Sequence, residues 1–230
     1  MGAAMDRDLL LFGARTGTGL DLARLARSAG WRVTAMIRPE SPGDALVEMG
    51  CAVVGGDALD QDAVDRAFAA CRGRPVVVST MGGGPAGRPV DHLGNANVID
   101  AAVACGAGRM ILVTSLGCGD SRVHASERLL AAIGDVLLTK TWAEEHLRAA
   151  GLPHAIIRPG GLVNDPPTGN GALYEDIRVH GRITRPDLAA LLLPCLDGSG
   201  VLGRTLSAID RGRLVAPVAV AEFHPAAACP

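Results

Sequence analysis

The sequence predicts an α/β fold: one doubly wound parallel sheet with helices on both faces, in a single domain. Short apolar segments rich in Val, Ile and Leu alternate with segments of helix length, as in strands joined by crossover helices. The first apolar segment, residues 9–12, shows no polar alternation, which is typical of a strand buried on both faces. A glycine-rich turn at residues 13–19 leads from it into a helical segment, as in a Rossmann-like domain.

Strands and helices are predicted in order along the chain. The strands are placed at residues 9–12, 31–37, 52–55, 75–79, 109–114, 155–158 and 205–209. The first helix follows the glycine turn and stops at Gly30, and the others are placed at residues 60–71, 90–105, 136–150 and 186–196. The Rossmann-like domain, including its substrate-pocket loops, is predicted to span residues 1–216. The Ala/Pro-rich segment 217–230 is predicted to be a loosely held tail.

Composition and charge exclude several classes of protein. Of the 230 residues, 48% are hydrophobic and 20% are charged, which is enough apolar material for one substantial core. The formal net charge of −2 gives no electrostatic reason to expect nucleic acid as a partner. The sequence has no apolar run of 18 residues, and residues 1–8 lack the parts of a signal peptide. We therefore expect a cytoplasmic monomer or small homo-oligomer that binds a small molecule and no membrane.

The cysteines and histidines follow no metal-binding or disulfide pattern. The sequence contains no CxxC, HxH or HExxH motif, so we predict no metal site and no disulfide framework. Lys140 is the single lysine among 22 basic residues, which draws attention to its position in the fold.

The glycine-rich turn is the first candidate binding site. Its sequence, Gly-Ala-Arg-Thr-Gly-Thr-Gly, lies between a strand and a helix, which is the context that a dinucleotide-binding motif requires. Small residues let the backbone approach a pyrophosphate, and the N–H groups and dipole of the helix attract its charge. The residues assigned here to cofactor binding are Gly13, Arg15, Thr16, Gly17, Thr18 and Gly19.

The end of the second predicted strand indicates which dinucleotide is bound. An NAD site places Asp or Glu about 20 residues beyond the glycines to hold the ribose 2′-hydroxyl, whereas this chain has Arg38 there. A guanidinium pairs well with a phosphate, and Arg15 offers a second positive charge. The sequence therefore favours NADP(H) over NAD(H), with a merely solvated Arg38 as the alternative.

Two further strand ends complete the predicted cofactor site. Asp57, followed by Ala58, comes after the third strand and is suited to accept a hydrogen bond from the adenine amino group. Met81 and Gly82 come after the fourth strand, where the small residues up to Gly84 let the backbone approach the ribose and phosphate.

With these motifs the chain resembles the short-chain dehydrogenase/reductase superfamily over nearly its whole length. The turn matches that superfamily's Gly-x-x-x-Gly-x-Gly pattern, and other segments are similar to its atypical branch, which includes the NmrA-like proteins and the flavin/biliverdin reductase B type. These segments are residues 53–57, 97–102, 113–117, 140–148, 157–161 and 185–189. The resemblance implies that Ser115 and Lys140 take catalytic positions and that Lys140 binds the cofactor ribose. It also implies that Pro159 and Gly160 contact the cofactor.

The chain departs from that superfamily at the proton donor. Tyrosine-dependent members carry Tyr four residues before the lysine, but this chain has Val136, which cannot donate a proton. The histidine of the biliverdin reductase B type is also missing, because Gly161 stands in the matching place. Asp120 and His124 are therefore candidate substitute donors, and Tyr174 is a candidate substrate contact from a pocket loop.

The predicted function is an NADPH-dependent oxidoreductase that transfers hydride to a conjugated small molecule such as a flavin, quinone or tetrapyrrole-like compound. Such an acceptor can take its proton from water, so catalysis can rest on positioning, with Ser115 as a hydrogen-bonding group. Two alternatives stay open. The missing tyrosine favours a non-catalytic NADP(H)-binding sensor of the NmrA type, and an epimerase or dehydratase that retains NADP is the other.

Overall fold

The structure, a computed structural model, describes residues 7–83, 89–216 and 219–225. These residues form strands β1 (Asp8–Phe12), β2 (Arg32–Ile37), β3 (Ala52–Gly55), β4 (Val76–Ser79), β5 (Arg109–Val113), β6 (His154–Pro159), β7 (Gly161–Val163), β8 (Gly171–Tyr174), β9 (Arg182–Thr184) and β10 (Thr205–Asp210). The α-helices are α1 (Gly17–Ser28), α2 (Asp44–Glu48), α3 (Gln61–Ala69), α4 (Leu93–Ala104), α5 (Glu127–Ala149) and α6 (Arg185–Asp197). Short 3-10 helices lie at Pro89–Asp91, Gly119–His124, Ser199–Val201 and Arg211–Arg213. Gly84, which was assigned to the cofactor loop, and residues 1–6, 217–218 and 226–230 lie outside the described residues.

The main sheet has eight strands in the order β3-β2-β1-β4-β5-β6-β10-β8. β8 runs antiparallel to β10, and the other neighbouring strands are parallel. The prediction of a Rossmann-like α/β fold is therefore confirmed. β7 and β9 pair separately, as a two-stranded parallel sheet. Strand order reverses between β1 and β4, and a crevice at the carboxyl ends of these strands is the expected ligand site of such a sheet.

The main sheet separates two hydrophobic layers, and alternate residues of β1 contact each of them. Leu9 and Leu11 belong to the layer with α1 and α6, whereas Leu10 and Phe12 belong to the layer with α3, α4 and α5. This double burial explains why the β1 sequence shows no polar alternation. The glycine turn thus follows a strand that is buried along its whole length.

Several elements were not predicted from the sequence. β7, β8 and β9 are three or four residues long, and α2 has five residues. α5 begins at Glu127 instead of residue 136, because the Ser126 hydroxyl caps the helix by accepting the N–H of Leu129 at 3.2 Å. A kink at Ile133, with φ −142° and ψ 20°, separates this extra helical segment from the predicted part.

Part of the predicted tail contacts the main sheet. Within the described residues 219–225, the N–H of Phe223 donates to the carbonyl of Leu173 in β8 at 2.7 Å. Glu222 accepts hydrogen bonds from Arg211 at 2.6 and 2.7 Å. These contacts hold this segment against the β8 edge.

In the part of the chain that the structure describes, every helix is too short or too polar to cross a membrane.

Candidate functional site

A cavity of about 930 Å³ lies at the carboxyl ends of the central strands. Its size is typical of a small-molecule or cofactor site. Most residues assigned to the cofactor from the sequence line it: Gly13, Arg15, Thr16, Thr18, Gly19, Arg38, Asp57, Ala58, Met81, Gly82, Lys140, Pro159 and Gly160. Ser115, two residues beyond β5, lines it as well. Gly17 lies against the side chain of Arg185, which in turn lines the cavity.

The glycine turn is packed so closely that larger residues do not fit. Gly13 has a φ of +82°, and a Cβ atom added to it would lie 2.7 Å from the Thr80 hydroxyl. A Cβ at Gly19 would lie 2.3 Å from the carbonyl oxygen of Gly13. The two glycines therefore allow the chain to turn directly from β1 into α1. The space that their absent side chains leave is what a pyrophosphate needs to approach the backbone.

The first turn of α1 presents unsatisfied polar groups. Its N-cap residue, Thr16, makes no side-chain hydrogen bond to the helix. Thr18 is 7% exposed, and its hydroxyl has no hydrogen-bond partner among the described residues. Free N–H groups and a free hydroxyl at a helix N-terminus suit a phosphate group. These residues fit the pyrophosphate of a dinucleotide.

Arg38 and Asp57 form one end of the cavity, beyond β2 and β3. The side chain of Arg38 is 50% exposed, and its Nε lies 3.5 Å from Glu40 Oε1. An exposed ion pair of this kind is weak, so a ligand can compete for the guanidinium. Asp57 Oδ1 accepts the N–H of Leu59 at 3.0 Å, which fixes the carboxylate at the turn after β3. This end of the cavity offers both a cation and a hydrogen-bond acceptor.

Lys140 lies beside the loop after β4, held by a buried carboxylate. Its Nζ lies 2.7 Å from Asp91 Oδ1, an ion pair that lacks hydrogen-bond alignment, and donates to the Met81 carbonyl at 3.3 Å. Asp91 is 0% exposed, and its other oxygen accepts the N–H of Gly83 at 2.9 Å. Asp91 therefore links the lysine to the loop of Met81 and Gly82, where the cofactor ribose is expected.

Val136 faces the same cavity one helical turn before Lys140. In the sequence this residue stands where tyrosine-dependent members of the superfamily that the chain resembles carry their tyrosine. Further apolar residues line this end: Leu116, Leu129, Ile133, Leu137 and Leu162. Ser115 provides the neighbouring hydroxyl, which donates to the Leu116 carbonyl at 3.0 Å. This end of the cavity therefore suits an apolar part of a ligand.

A buried ion pair lies behind Ser115 and joins β5, β6 and α5. Arg158, 1% exposed, donates to both oxygens of Glu144 at 2.9 and 2.6 Å. Glu144, 0% exposed, also accepts the hydroxyl hydrogen of Thr114 at 2.7 Å. Burial opposes the charge of Arg158, but the hydrogen bonds and charges of Glu144 and Asp120 outweigh it and raise the pKa of the guanidinium. The pair fixes the strand ends that carry Ser115 and Pro159.

Asp120, His124 and Tyr174 are not among the described residues that line the cavity, and their contact with a substrate stays a prediction. Asp120 is drawn instead to Arg158, with which it forms an ion pair. Partial burial acts in the opposite direction, but the hydrogen bond and charge of Arg158 keep the pKa of Asp120 below its usual range, so it is a poor proton donor. Tyr174 is 2% exposed in β8, and burial raises the pKa of its phenol. His124 ends the 3-10 helix after β5.

Sequence reasoning missed several residues of the cavity. Thr80 donates to the carbonyls of Phe12 and Gly13, at 3.2 Å each, and closes the glycine turn. His180, Arg182 and Arg185 line the cavity from the segment around β9. Of these residues, only Arg185 could have been found from the sequence, because it is the first residue of the segment 185–189 that carries the family resemblance. The described residues contain no group of three or more His, Cys, Asp or Glu side chains that could hold a metal ion.

Comparison with protein families and known proteins agrees with this geometry. A family model described as NAD(P)H-binding matches residues 13–198. A solved structure of ChuY, described as an anaerobillin reductase from Escherichia coli O157:H7, is similar to this chain with a TM-score of 0.81 and 37% identity. The similarity covers 92% of this chain and 100% of that one.

Two curated relatives extend the comparison. An uncharacterized sugar epimerase, YhfK of Bacillus subtilis, is 32% identical over 170 residues, which are 72% of this chain and 76% of that protein. Sanguinarine reductase of Eschscholzia californica is 33% identical over 113 residues, 47% of this chain and 40% of that protein. The predicted resemblance to the NAD(P)-binding proteins of the atypical short-chain dehydrogenase/reductase branch is confirmed. By its fold, its glycine turn and the extent of the family match, the chain belongs to the NAD(P)H-binding family.

Proposed function

We propose that this chain is an NADPH-dependent reductase of a conjugated small molecule, with a tetrapyrrole-like compound as the first substrate class to test and flavins and quinones after it. The observation that carries the proposal is the apolar wall around Val136, beside Ser115 and Lys140. A wall without a titratable donor at the tyrosine position suits a delocalised acceptor that takes its proton from solvent. Relatives named anaerobillin reductase and sanguinarine reductase support the same direction.

In this proposal the chain supplies orientation and binding. The bound nicotinamide would supply the hydride. Lys140, positioned by Asp91, would hold the ribose, and the glycine turn would hold the pyrophosphate. Ser115 would orient the acceptor by a hydrogen bond, while Val136 and its apolar neighbours would pack against its face.

The phosphorylated cofactor is proposed over NAD(H) because of the cations at the adenosine end. Arg38 and Arg15 both line the cavity, and Arg15 has no ion-pair partner among the described residues. Among the described residues, no carboxylate lines the cavity at the end of β2, where an NAD site would hold the ribose 2′-hydroxyl.

An epimerase that retains its cofactor is the second candidate, because the relative from Bacillus subtilis is named a sugar epimerase. Such a reaction withdraws and returns hydride within one turnover, and it needs a group that moves the hydroxyl proton of the sugar. Val136 cannot do this. Net consumption of NADPH separates the two candidates.

The test is a panel of acceptors mixed with NADPH, followed by the loss of NADPH absorbance. A linear tetrapyrrole, a flavin and a quinone cover the proposed classes. We expect net oxidation with the tetrapyrrole and a loss of at least about tenfold in kcat for Ser115→Ala. Ser199→Ala, at an exposed serine far from the cavity, is the matched control. Tight NADPH binding without oxidation by any acceptor would favour the sensor instead.

A further inference from the structure

Arg185, the first residue of α6, has no role in the predicted cofactor site. We propose that Arg185 binds the pyrophosphate of the dinucleotide, together with the first turn of α1. Its guanidinium would pair with the phosphate oxygens that the helix N–H groups also contact. The last quarter of the chain would thereby complete the binding site that the first strand and helix begin.

The side chain of Arg185 lies directly over the glycine turn. A Cβ atom added to Gly17 would lie 2.7 Å from Arg185 Cδ and 3.0 Å from Arg185 Nε. Gly17 also has a φ of +59°, which side chains rarely adopt. Glycine at this position therefore serves two purposes: it makes the turn and it leaves room for the arginine. The guanidinium lines the cavity beside the residues that fit a pyrophosphate.

Nothing in the described part of the chain neutralises this arginine. No carboxylate of the described residues lies within ion-pair distance of Arg185. Asp187, in the same helical turn, makes its hydrogen bonds to other residues. The oxygens of Asp187 accept hydrogen bonds from Thr168, Gly169 and Thr184, at 2.8 to 3.0 Å. A cation at the first position of a helix also opposes the helix dipole. Arg185 thus stabilises neither its own helix nor a neighbouring carboxylate. An arginine without such a structural role, at a cavity, is typical of a residue that binds an anionic ligand.

A second unsatisfied group points to the same ligand. Thr18, on the first turn of α1, has a buried hydroxyl without a partner among the described residues. A hydroxyl donor and a guanidinium on two sides of one turn provide hydrogen bonds for phosphate oxygens. Arg38 and Arg15 are assigned to the 2′-phosphate, so Arg185 remains for the charge of the pyrophosphate.

The two helices that carry these groups are rigidly packed. Leu22 and Ala23 of α1 share one hydrophobic layer with Leu188 and Leu192 of α6. The position of Arg185 over the turn is therefore fixed by core packing, and the site is formed before the ligand arrives.

The test compares ligands that carry different phosphates. Calorimetric titration with NADP⁺, NAD⁺, ADP-ribose and adenosine 2′-phosphate separates the pyrophosphate from the 2′-phosphate. For Arg185→Ala we expect Kd to rise about tenfold for the first three ligands and to stay unchanged for adenosine 2′-phosphate, which has no pyrophosphate. Arg38→Ala should show the opposite pattern, with weaker NADP⁺ and adenosine 2′-phosphate and unchanged NAD⁺.

Two further variants serve as controls for a general loss of positive charge and for unfolding of the alanine variant. Arg213→Ala removes an exposed arginine paired with Asp165 and should leave every Kd unchanged. Arg185→Lys keeps the charge and should lose less affinity than Arg185→Ala, which also covers the case in which the alanine variant unfolds. The proposal is overturned if Arg185→Ala changes the Kd of NAD⁺ by less than about twofold, or weakens adenosine 2′-phosphate equally. A wild-type chain that binds none of the pyrophosphate ligands overturns it too.

Discussion

Two arginines, Arg158 and Arg185, show how differently one side chain is used in this molecule. Arg158 is 1% exposed, and its hydrogen bonds go to the carboxylates of Glu144 and Asp120. Arg185 is partly exposed beside the cavity and has no ion pair among the described residues. The first holds strand ends together, and the second faces the space where an anionic ligand is expected.

Burial and ion pairing therefore distinguish an arginine that stabilises the fold from one that is available to bind a ligand. Removing a paired, buried arginine leaves a buried carboxylate without a partner, so the loss is one of stability. Removing an unpaired arginine at a cavity leaves the fold intact, so the loss is one of affinity. The predictions below test this division, starting from the largest expected effect.

Arg158→Ala should reduce the free energy of unfolding by about 3–5 kcal/mol, because it removes the buried cation that pairs with the buried carboxylate of Glu144 and leaves only the exposed Arg148 beside it. Urea unfolding followed by circular dichroism measures the loss. The matched control is Arg148→Ala, since Arg148 also contacts Glu144, at 3.2 Å, but is 41% exposed. We expect the control to lose less than about 1 kcal/mol. Equal losses of unfolding free energy for the two variants would mean that burial of the arginine does not decide its contribution to stability.

Lys140→Ala should both destabilise the chain and weaken cofactor binding. Asp91 keeps its hydrogen bond from Gly83 but loses its cationic partner, which predicts a loss of about 1–3 kcal/mol in the free energy of unfolding. The double variant with Asp91→Asn should recover part of the stability but none of the affinity for NADP⁺. Recovery of both would show that Lys140 acts through Asp91 alone.

Arg38→Ala should raise the Kd of NADP⁺ about tenfold and leave that of NAD⁺ unchanged, because only NADP⁺ carries the 2′-phosphate. The melting temperature should stay the same, since Arg38 is half-exposed and its contact with Glu40 is long. Equal loss for the two nucleotides would place Arg38 outside the adenosine end.

The smallest effect concerns Asp120, the exposed member of the paired cluster. Arg158 keeps the pKa of Asp120 below its ordinary value of 3.8, so the ion pair adds stability above that value and loses it as the pH falls through the lowered pKa. Unfolding experiments between neutral pH and about pH 2 should show wild type losing its advantage over Asp120→Asn in acid. A constant difference across this range would mean that the exposed ion pair contributes nothing.

The central strands and the glycine turn could be predicted from the sequence because their signals lie in short stretches of neighbouring residues. β1 has an unbroken apolar pattern, and the glycine turn has fixed conformational requirements, so both were visible without a structure. The first segment of α5 was missed because Gly134 and the kink at Ile133 interrupt the helical pattern. The strand β8 was missed because its pairing with β10 depends on residues far apart in the chain.

The candidate site could be predicted only where its residues follow directly from the order of strands along the chain. Residues at strand ends, such as Ser115, Arg38 and Asp57, could be placed by topology alone. Asp91 could not, because its role depends on a distant ion pair with Lys140. The ion pair between Asp120 and Arg158 could not be predicted either, because the two residues lie far apart in the sequence.

The segment around Phe223 has one further consequence, for self-association. An outermost strand with free N–H and C=O groups is a template on which another chain can extend the sheet. At Leu173 that template is already taken by the main-chain contact from Phe223. The segment around Phe223 thus protects this edge of the sheet: a variant that lacks it would leave β8 uncovered and should aggregate more readily, although no cavity residue would have changed.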